Sequence, residues 1–513
     1  MKSLILGFIV IFGSVFNFFC CQCDQENLGD EQSDIIFNRD GSTSDAILDY
    51  DAGLGERHNT FVYSALVLYG RFGPTYPDDC FPLSVAGKFD LFETGPDNFS
   101  TTRWCEVREN RNLNAFEELK RINPKIKIYL YRMGPGQYIV SKYDKWSQED
   151  WEWIKENHGK DNFDRWIAVG VKTKEYLRSV PYPVERAMIL GNKNWQQYWI
   201  EYNYKRIWGE PFGGFDGRWA DGIFLDGMQY GVSWQNNWRP ESSFDESTWT
   251  WISTEIDHPD AYYDTSTQKY RNDLWQKHYD EFLRKAVDYF YSKGVHLGLN
   301  SWVIYYDSQI ALYEDLKILV MEECGFLCWK VLPVDQWEKR VKTMQSADNY
   351  TILSVNMPPG AASPNNSGPA PNEGLQRMDR IYEGRTGWQW LWFSMSSYLL
   401  AYNPDKPNAY FLFSLWEFRD QYWFEEYDPK LLNLGKPKGS AIRTENGIWY
   451  REFEKGFVAV NPYKEEKTLK IEKGPKVRIL NHENFKTPEN APVGDLKAGI
   501  TLETYHGAIL LSN

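Results

Sequence analysis

The sequence predicts an α/β protein: a (β/α)8 barrel of the TIM type, followed by a small antiparallel β-sandwich. Three observations carry this. Eight short apolar runs alternate with amphipathic stretches between about residues 60 and 414. No phosphate-binding glycine loop follows any of them, which favours the barrel over a doubly wound sheet. Beyond about residue 440 the helical stretches cease, and short strands alternate with turns.

The chain opens with Lys2 and then a run, residues 3–21, that is apolar or small except at Asn17. This pattern reads as an export signal over 1–23. The run is also just long enough to span a bilayer. Its end, Phe18-Phe19-Cys20-Cys21-Gln22-Cys23, lacks the small residues that signal cleavage favours. Retention as a membrane or lipid anchor therefore stays open. Residues 24–58 are polar and acidic without periodicity, and read as a linker or surface arm.

The expected barrel occupies 59–435. Its strands are read at 61–69, 127–131, 187–190, 222–226, 295–300, 318–322, 351–356 and 410–414, the third being the weakest. A helix is expected near 114–122, ended by Asn123-Pro124, and a long one near 268–292. The nearest approach to a dinucleotide fingerprint, Gly134-Pro135-Gly136, lacks the third glycine. In the tail, expected over 436–513, residues 445–453 and 456–462 read as a hairpin. Further strands are read near 468–471, 477–480, 499–502 and 508–511.

Composition narrows the function. Lys and Arg number 57 against 71 Asp and Glu, a net charge of −14, which repels a phosphate backbone and argues against nucleic acid as partner. Aromatic residues make up 17%, including 23 Trp. Most belong to a core of this size, yet the same flat rings suit a cleft that stacks on sugars. Outside the N-terminal region the cysteines form an even set, Cys80, Cys105, Cys324 and Cys328. Export and the even count predict the disulfides Cys80–Cys105 and Cys324–Cys328. No His lies near either pair, so no metal site is read there and no cofactor is expected.

In a barrel, chemistry sits where strands end and βα loops begin. Two apolar strands end in acids: the fourth at Asp226, the sixth at Glu322-Glu323. A carboxylate at a buried strand end is costly unless paired or used. Asp226 has the alternative of capping a following helix, although Gly227-Met228-Gln229-Tyr230-Gly231 reads as a loop. Glu323 has the alternative of a salt bridge or loop hydrogen bond. Adjacent strand residues face opposite sides, so one of Glu322 and Glu323 enters the mouth. Matching 221–226 to 317–322 residue by residue favours Glu322. Polar or aromatic groups at other strand ends suit hydroxyl recognition and ring stacking: Tyr131, Arg132, Asn192, Asn300, Trp302, Asn356, Trp416 and Glu417.

The run Ala220-Asp221-Gly222-Ile223-Phe224-Leu225-Asp226 resembles the fourth-strand motif of hypothetical barrel glycoside hydrolases with an Asp nucleophile. Asn194-Trp195-Gln196-Gln197-Tyr198-Trp199 resembles the helix that follows their third strand, and Val320-Met321-Glu322-Glu323 their acid/base strand. The stretches 456–462 and 507–511 are similar to the β-sandwich that often follows such barrels. The placement is similar to that in α-galactosidase-like and α-1,4-galactosaminidase-like barrels, which implies α-linked substrates cleaved with retention. The common pattern of Glu on strands four and seven does not fit, because these strands end here in Asp226 and Asn356.

The function expected is thus a secreted glycoside hydrolase with a carbohydrate substrate. A non-catalytic carbohydrate-binding barrel is the alternative, since fold does not dictate activity. The Gly-x-Ser-x-Gly and His-Glu-x-x-His motifs of serine hydrolases and zinc proteases are absent.

Overall fold

The computed structural model describes residues 65–68, 80–95, 104–134, 136–138, 145–180, 185–208, 217–231, 238–248, 250–301, 304, 307–361, 374–403, 409–415, 421–428 and 430–512. The expected signal segment and arm lie outside the described residues. Among these residues no helix is long and apolar enough to cross a membrane.

One parallel sheet dominates the α/β architecture. Its strands follow chain order: β1 (Ala65–Leu68), β2 (Leu91–Thr94), β3 (Lys127–Met133), β4 (Gly222–Asp226), β5 (His296–Asn300), β6 (Leu319–Glu322), β7 (Thr351–Asn356) and β8 (Ala409–Phe413). Each pairs in parallel with the next. β1 and β8 approach within 8 Å between Cα atoms, with no ladder joining them among the described residues. The sheet is therefore nearly closed. Its strands are apolar almost throughout because helices cover the outer face and side chains fill the inner one.

The inner face requires glycine at two points. A Cβ at Gly222 would fall 2.5 Å from the Tyr129 ring, and one at Gly298 would fall 2.9 Å from the Phe224 ring. These two rings occupy the space that side chains at 222 and 298 would take. Above them, toward the strand ends, the same face carries polar groups.

The third expected strand is corrected. Residues near 187–190 do not enter the parallel sheet. Instead Glu185–Ala187 joins Gly136–Tyr138, Leu177–Ser179 and Trp238–Pro240 in a four-stranded sheet. The vacant place belongs to β2, whose four residues Leu-Phe-Glu-Thr carry an acid mid-strand and only one β-branched residue, at the end. The exchange leaves 222–226 and 319–322 as the fourth and sixth strands.

Helix boundaries follow local chemistry. Asn114 caps Ala115–Ile122 by accepting from the backbone N–H groups of Phe116 and Glu117. The long helix runs over Asn272–Ser292, and Lys269–Tyr270 before it is a short strand. Helix Gly387–Ala401 begins with a reciprocal Thr386–Gln389 capping box. It is buried nearly all round because it lies between the parallel sheet and the C-terminal sheet.

A separate antiparallel sheet follows. Trp449–Phe453 and Gly456–Asn461 form the expected hairpin, and His506–Ser512 and Lys476–Leu480 continue it. Ile442–Arg443 and Val493–Asp495 close its two edges. Lys467–Leu469 and Ile500–Leu502 pair in a separate ribbon of two strands. Sheet and ribbon share a small core including Ile448, Leu469, Val477 and Leu510.

Candidate active site

Strand alternation and ladder register build the site. On β3 Tyr131 shares the inner face with Tyr129, and on β4 Asp226 shares it with Phe224. On β5 the inner residue at this level is Asn300, two beyond Gly298. Asn300 pairs with Met321 on β6. Strands in a barrel are tilted and staggered, so the mouth reaches β6 one pleat further on, at Glu323. Tyr131, Asp226, Asn300 and Glu323 therefore converge.

Hydrogen bonds join all four. The Asn300 amide nitrogen donates to Asp226 Oδ1 at 2.9 Å and to Glu323 Oε1 at 2.6 Å. The two carboxylate oxygens thus lie no more than 5.5 Å apart, the sum of those bonds. Tyr131 Oη donates to Asp226 Oδ2 at 3.0 Å, and the Gly227 backbone N–H donates to Oδ1 at 2.7 Å. Burial pushes the Asp226 carboxyl above its ordinary range, and the donors Asn300, Gly227 and Tyr131 pull it back by favouring the charged form. Gly134 N–H holds the Asp226 carbonyl at 2.9 Å, fixing the strand end itself.

The preference for Glu322 is corrected. Glu322 faces away from the mouth, toward helix Val334–Ser346, and pairs with Arg340 at 2.9 Å. It also accepts from the Ile304 backbone N–H. Burial raises its carboxyl and the Arg340 charge opposes the rise. Counting residues along each strand had matched Asp226 with Glu322; the ladder and the pleat instead bring Glu323 to Asp226.

The loop behind Glu323 is tied down twice. Cys324 and Cys328 are bridged, with Cα atoms 4.5 Å apart; Cys80 and Cys105 are bridged as well, at 5.0 Å. Asn356 accepts from the Phe326 backbone N–H at 2.8 Å and donates to the Ser354 and Leu412 carbonyls. It is wholly buried. Asn356 therefore braces the Glu323 loop, where substrate binding had been expected.

Other expected site residues lie elsewhere. Arg132 alternates with Tyr131 and turns outward to Asn203 on helix Lys193–Trp208. Asn192 caps that helix, accepting from Asn194 and Trp195 N–H groups, because the segment before it is not a barrel strand. Trp302, Trp416 and Glu417 lie outside the described residues.

One acid near the site escapes sequence reasoning. Glu185, in the four-stranded sheet, is 1% exposed. Burial and then the Asp226 charge push its carboxyl up to about 8. No strand-end pattern marks it, since the local apolar run begins at Ala187. Among the described residues no group of three or more His, Cys, Asp or Glu is placed to hold a metal ion.

No family model matches the chain, and no curated protein matches its sequence. Solved structures give distant likenesses. An alpha-amylase from Lactobacillus plantarum aligns with 8% identity and a TM-score of 0.41, covering 87% of this chain and 98% of that one. A cycloalternan-degrading enzyme from Trueperella pyogenes aligns with 10% identity and a TM-score of 0.33, over 83% of this chain and 58% of that one. A glucosidase II alpha subunit aligns with 7% identity and a TM-score of 0.31, over 88% and 46%. All these scores are low.

Proposed function

We propose that the chain is a retaining glycoside hydrolase in which Asp226 is the nucleophile and Glu323 the acid/base. The observation that supports this is the shared amide of Asn300, which limits the Asp226 Oδ1 to Glu323 Oε1 distance to 5.5 Å. Retaining hydrolases hold their carboxyls about 5–5.5 Å apart, and inverting ones about 6.5–9.5 Å, to admit a water. In the first step Asp226 attacks the anomeric carbon while Glu323 gives its proton to the departing glycosidic oxygen. A glycosyl ester on Asp226 results. Glu323, now ionised, takes a proton from water, which attacks the same carbon and releases the sugar and the Asp226 carboxylate. Both residues end in their starting protonation states.

The framework proposed is a complete (β/α)8 barrel over 59–435 and a β-sandwich over 436–513. Export is supported by the apolar N-terminal run and by the two disulfides. The α-linkage rests on the sequence resemblance alone.

The experiment is a panel of α- and β-aryl glycosides, with the first-formed product followed by proton NMR. Retained anomeric configuration on an α-glycoside is expected, with Asp226→Asn abolishing release while sugar binding persists. An inverted first product makes Asp226 a base and ends the nucleophile assignment. Binding without turnover across the panel favours the carbohydrate-binding alternative.

A further inference from the structure

We propose that Tyr279 and Tyr313 are positioning residues. The bond between their hydroxyls ties the loop after Asp226 to the strand end that carries Asn300, so that two donors to Asp226 are held as one unit. The inference deepens the proposed function, and its kinetic consequence rests on Asp226 being the nucleophile.

The geometry begins with those two donors. Gly227 N–H and the Asn300 amide both bond Asp226 Oδ1, at 2.7 and 2.9 Å. They come from different segments: Gly227 opens the loop after β4, and Asn300 ends β5. Gly227 has a φ of 69°, a left-handed conformation that glycine adopts freely. The same freedom would let its N–H swing away from the carboxylate, so the loop needs anchors just beyond it.

Helix Asn272–Ser292 supplies them. Trp275 and Tyr279 lie one turn apart and donate to consecutive carbonyls of the loop. Trp275 Nε1 bonds the Gln229 carbonyl at 3.0 Å, and Tyr279 Oη bonds that of Met228 at 3.1 Å. The next helix, Asp307–Leu316, holds β5 in the same way. Its Gln309 and Tyr313, again one turn apart, grip Ser301, the residue after Asn300. Gln309 Nε2 donates to Ser301 Oγ at 2.6 Å, and Tyr313 Oη is bonded to the same oxygen at 3.1 Å.

The two helices meet through these side chains. Tyr279 Oη and Tyr313 Oη are hydrogen-bonded at 2.9 Å. A continuous line of bonds therefore runs from Met228 through Tyr279 and Tyr313 to Ser301. Tyr279, Tyr313, Gln309 and Ser301 are all buried, where such bonds are strong and water does not compete. Burial raises both phenols, Tyr313 to about 12, so the line keeps its protons wherever Asp226 titrates. Phenylalanine would fill both places with the same ring; what the hydroxyls add is the link.

The first test is Tyr313→Phe. It cuts the line in the middle, while Met228 keeps Tyr279 as donor and Ser301 keeps Gln309. On the aryl glycoside that wild type cleaves fastest, kcat is expected to fall about tenfold with KM within about twofold. The acidic limb of kcat/KM is expected to move upward by about 0.5 pH unit, because both loosened donors favour the charged Asp226 carboxyl. A limb that Asn300→Ala moves and Tyr313→Phe leaves in place overturns the proposal, since Tyr313 then only packs.

The second test cuts the line near its two ends, with Tyr279→Phe and Ser301→Ala. Each is expected to lower kcat about tenfold, and the double variant by no more than about twentyfold, because either cut frees both donors. A loss of about a hundredfold, the product of two independent effects, overturns the tie. If wild type cleaves no glycoside, or Asn300→Ala leaves the limb in place, the reading of Asp226 fails by itself. The same pair is then followed by thermal melts. A double variant whose Tm loss is well below the sum of the single losses upholds the tie, and a full sum overturns it.

Discussion

Glu322 and Arg340 form an ion pair at 2.9 Å, with each side chain only 4% exposed. Glu322 and Glu323 are neighbours in sequence, yet the pleat of β6 gives them opposite surroundings. One is locked to a helix; the other meets Asp226 through Asn300.

The two variants at this strand end should separate stability from chemistry. Glu322→Gln leaves the Arg340 charge buried and less well paired, and should cost about 3–5 kcal/mol of stability. Its folded fraction should retain kcat within about threefold, since no group at the mouth is changed. Glu323→Gln should leave the denaturation midpoint nearly unchanged and lower kcat/KM about 10²–10⁴-fold for a poor leaving group. The loss should be far smaller for a dinitrophenyl leaving group. Urea melts and a leaving-group series check both, and the reverse assignment of effects would restore Glu322 as the acid.

The donors around Asp226 set the acidic side of the pH profile. Asn300, Gly227 and Tyr131 all favour the charged carboxyl, so removing one raises it further. Tyr131→Phe and Asn300→Ala should each move the acidic limb of kcat/KM upward by about 0.5–1 pH unit. Asn300→Ala should act more strongly, because it releases both carboxyls. A limb that stays in place in both variants means that Asp226 is not the group titrating there.

Much of the fold was legible because buried parallel strands are apolar on both faces and long helices are periodic. Leu91–Thr94 was missed because it has four residues and an acid, Glu93, that the sheet buries completely. The run at 187–190 was misplaced because a short apolar segment looks alike in a barrel and in a small antiparallel sheet. Asp226 was legible as an acid closing an apolar strand. The choice between Glu322 and Glu323 was not, because it depends on strand stagger, a property of the closed sheet. The roles of Asn192 and Asn356 were lost for a related reason. An amide at a strand end looks the same whether it caps a helix, braces a loop or meets a sugar.

The two disulfides should differ in what they do. They span sequence separations of 25 for Cys80–Cys105 and 4 for Cys324–Cys328. On the loop-closure account, losing the first should cost about 3.5 kcal/mol and losing the second about 2 kcal/mol. Only the second adjoins Glu323. Replacing Cys324 and Cys328 with Ser should therefore lower kcat/KM for poor leaving groups, whereas replacing Cys80 and Cys105 should leave it in proportion to folded protein. Equal kinetic effects from the two replacements would mean that the bridge does not position Glu323.

Arg451 ties the C-terminal sheet to the end of helix Gly387–Ala401. Helix Gly387–Ala401 ends with carbonyls that lack helical partners, as every helix does. Arg451, from the hairpin strand Trp449–Phe453, supplies the missing donors. Its Nη1 donates to the carbonyls of Leu399, Leu400 and Tyr402, the last at 2.6 Å, and its Nε to that of Gly439. The cation also sits at the negative end of the helix dipole. Arg451→Met keeps the apolar stem and removes the donors, leaving buried carbonyls unsatisfied at about 1–3 kcal/mol each. The total loss should be about 3 kcal/mol, because the helix end can partly relax. Lys has one nitrogen to place, so Arg451→Lys should recover less than half of it. Neither change touches the mouth, and activity per folded molecule should stay within about twofold. Calorimetry on the full chain checks the loss. A variant with wild-type stability would mean that the hairpin is held by its other contacts, among them the bond from Trp449 Nε1 to Glu338 at 3.1 Å.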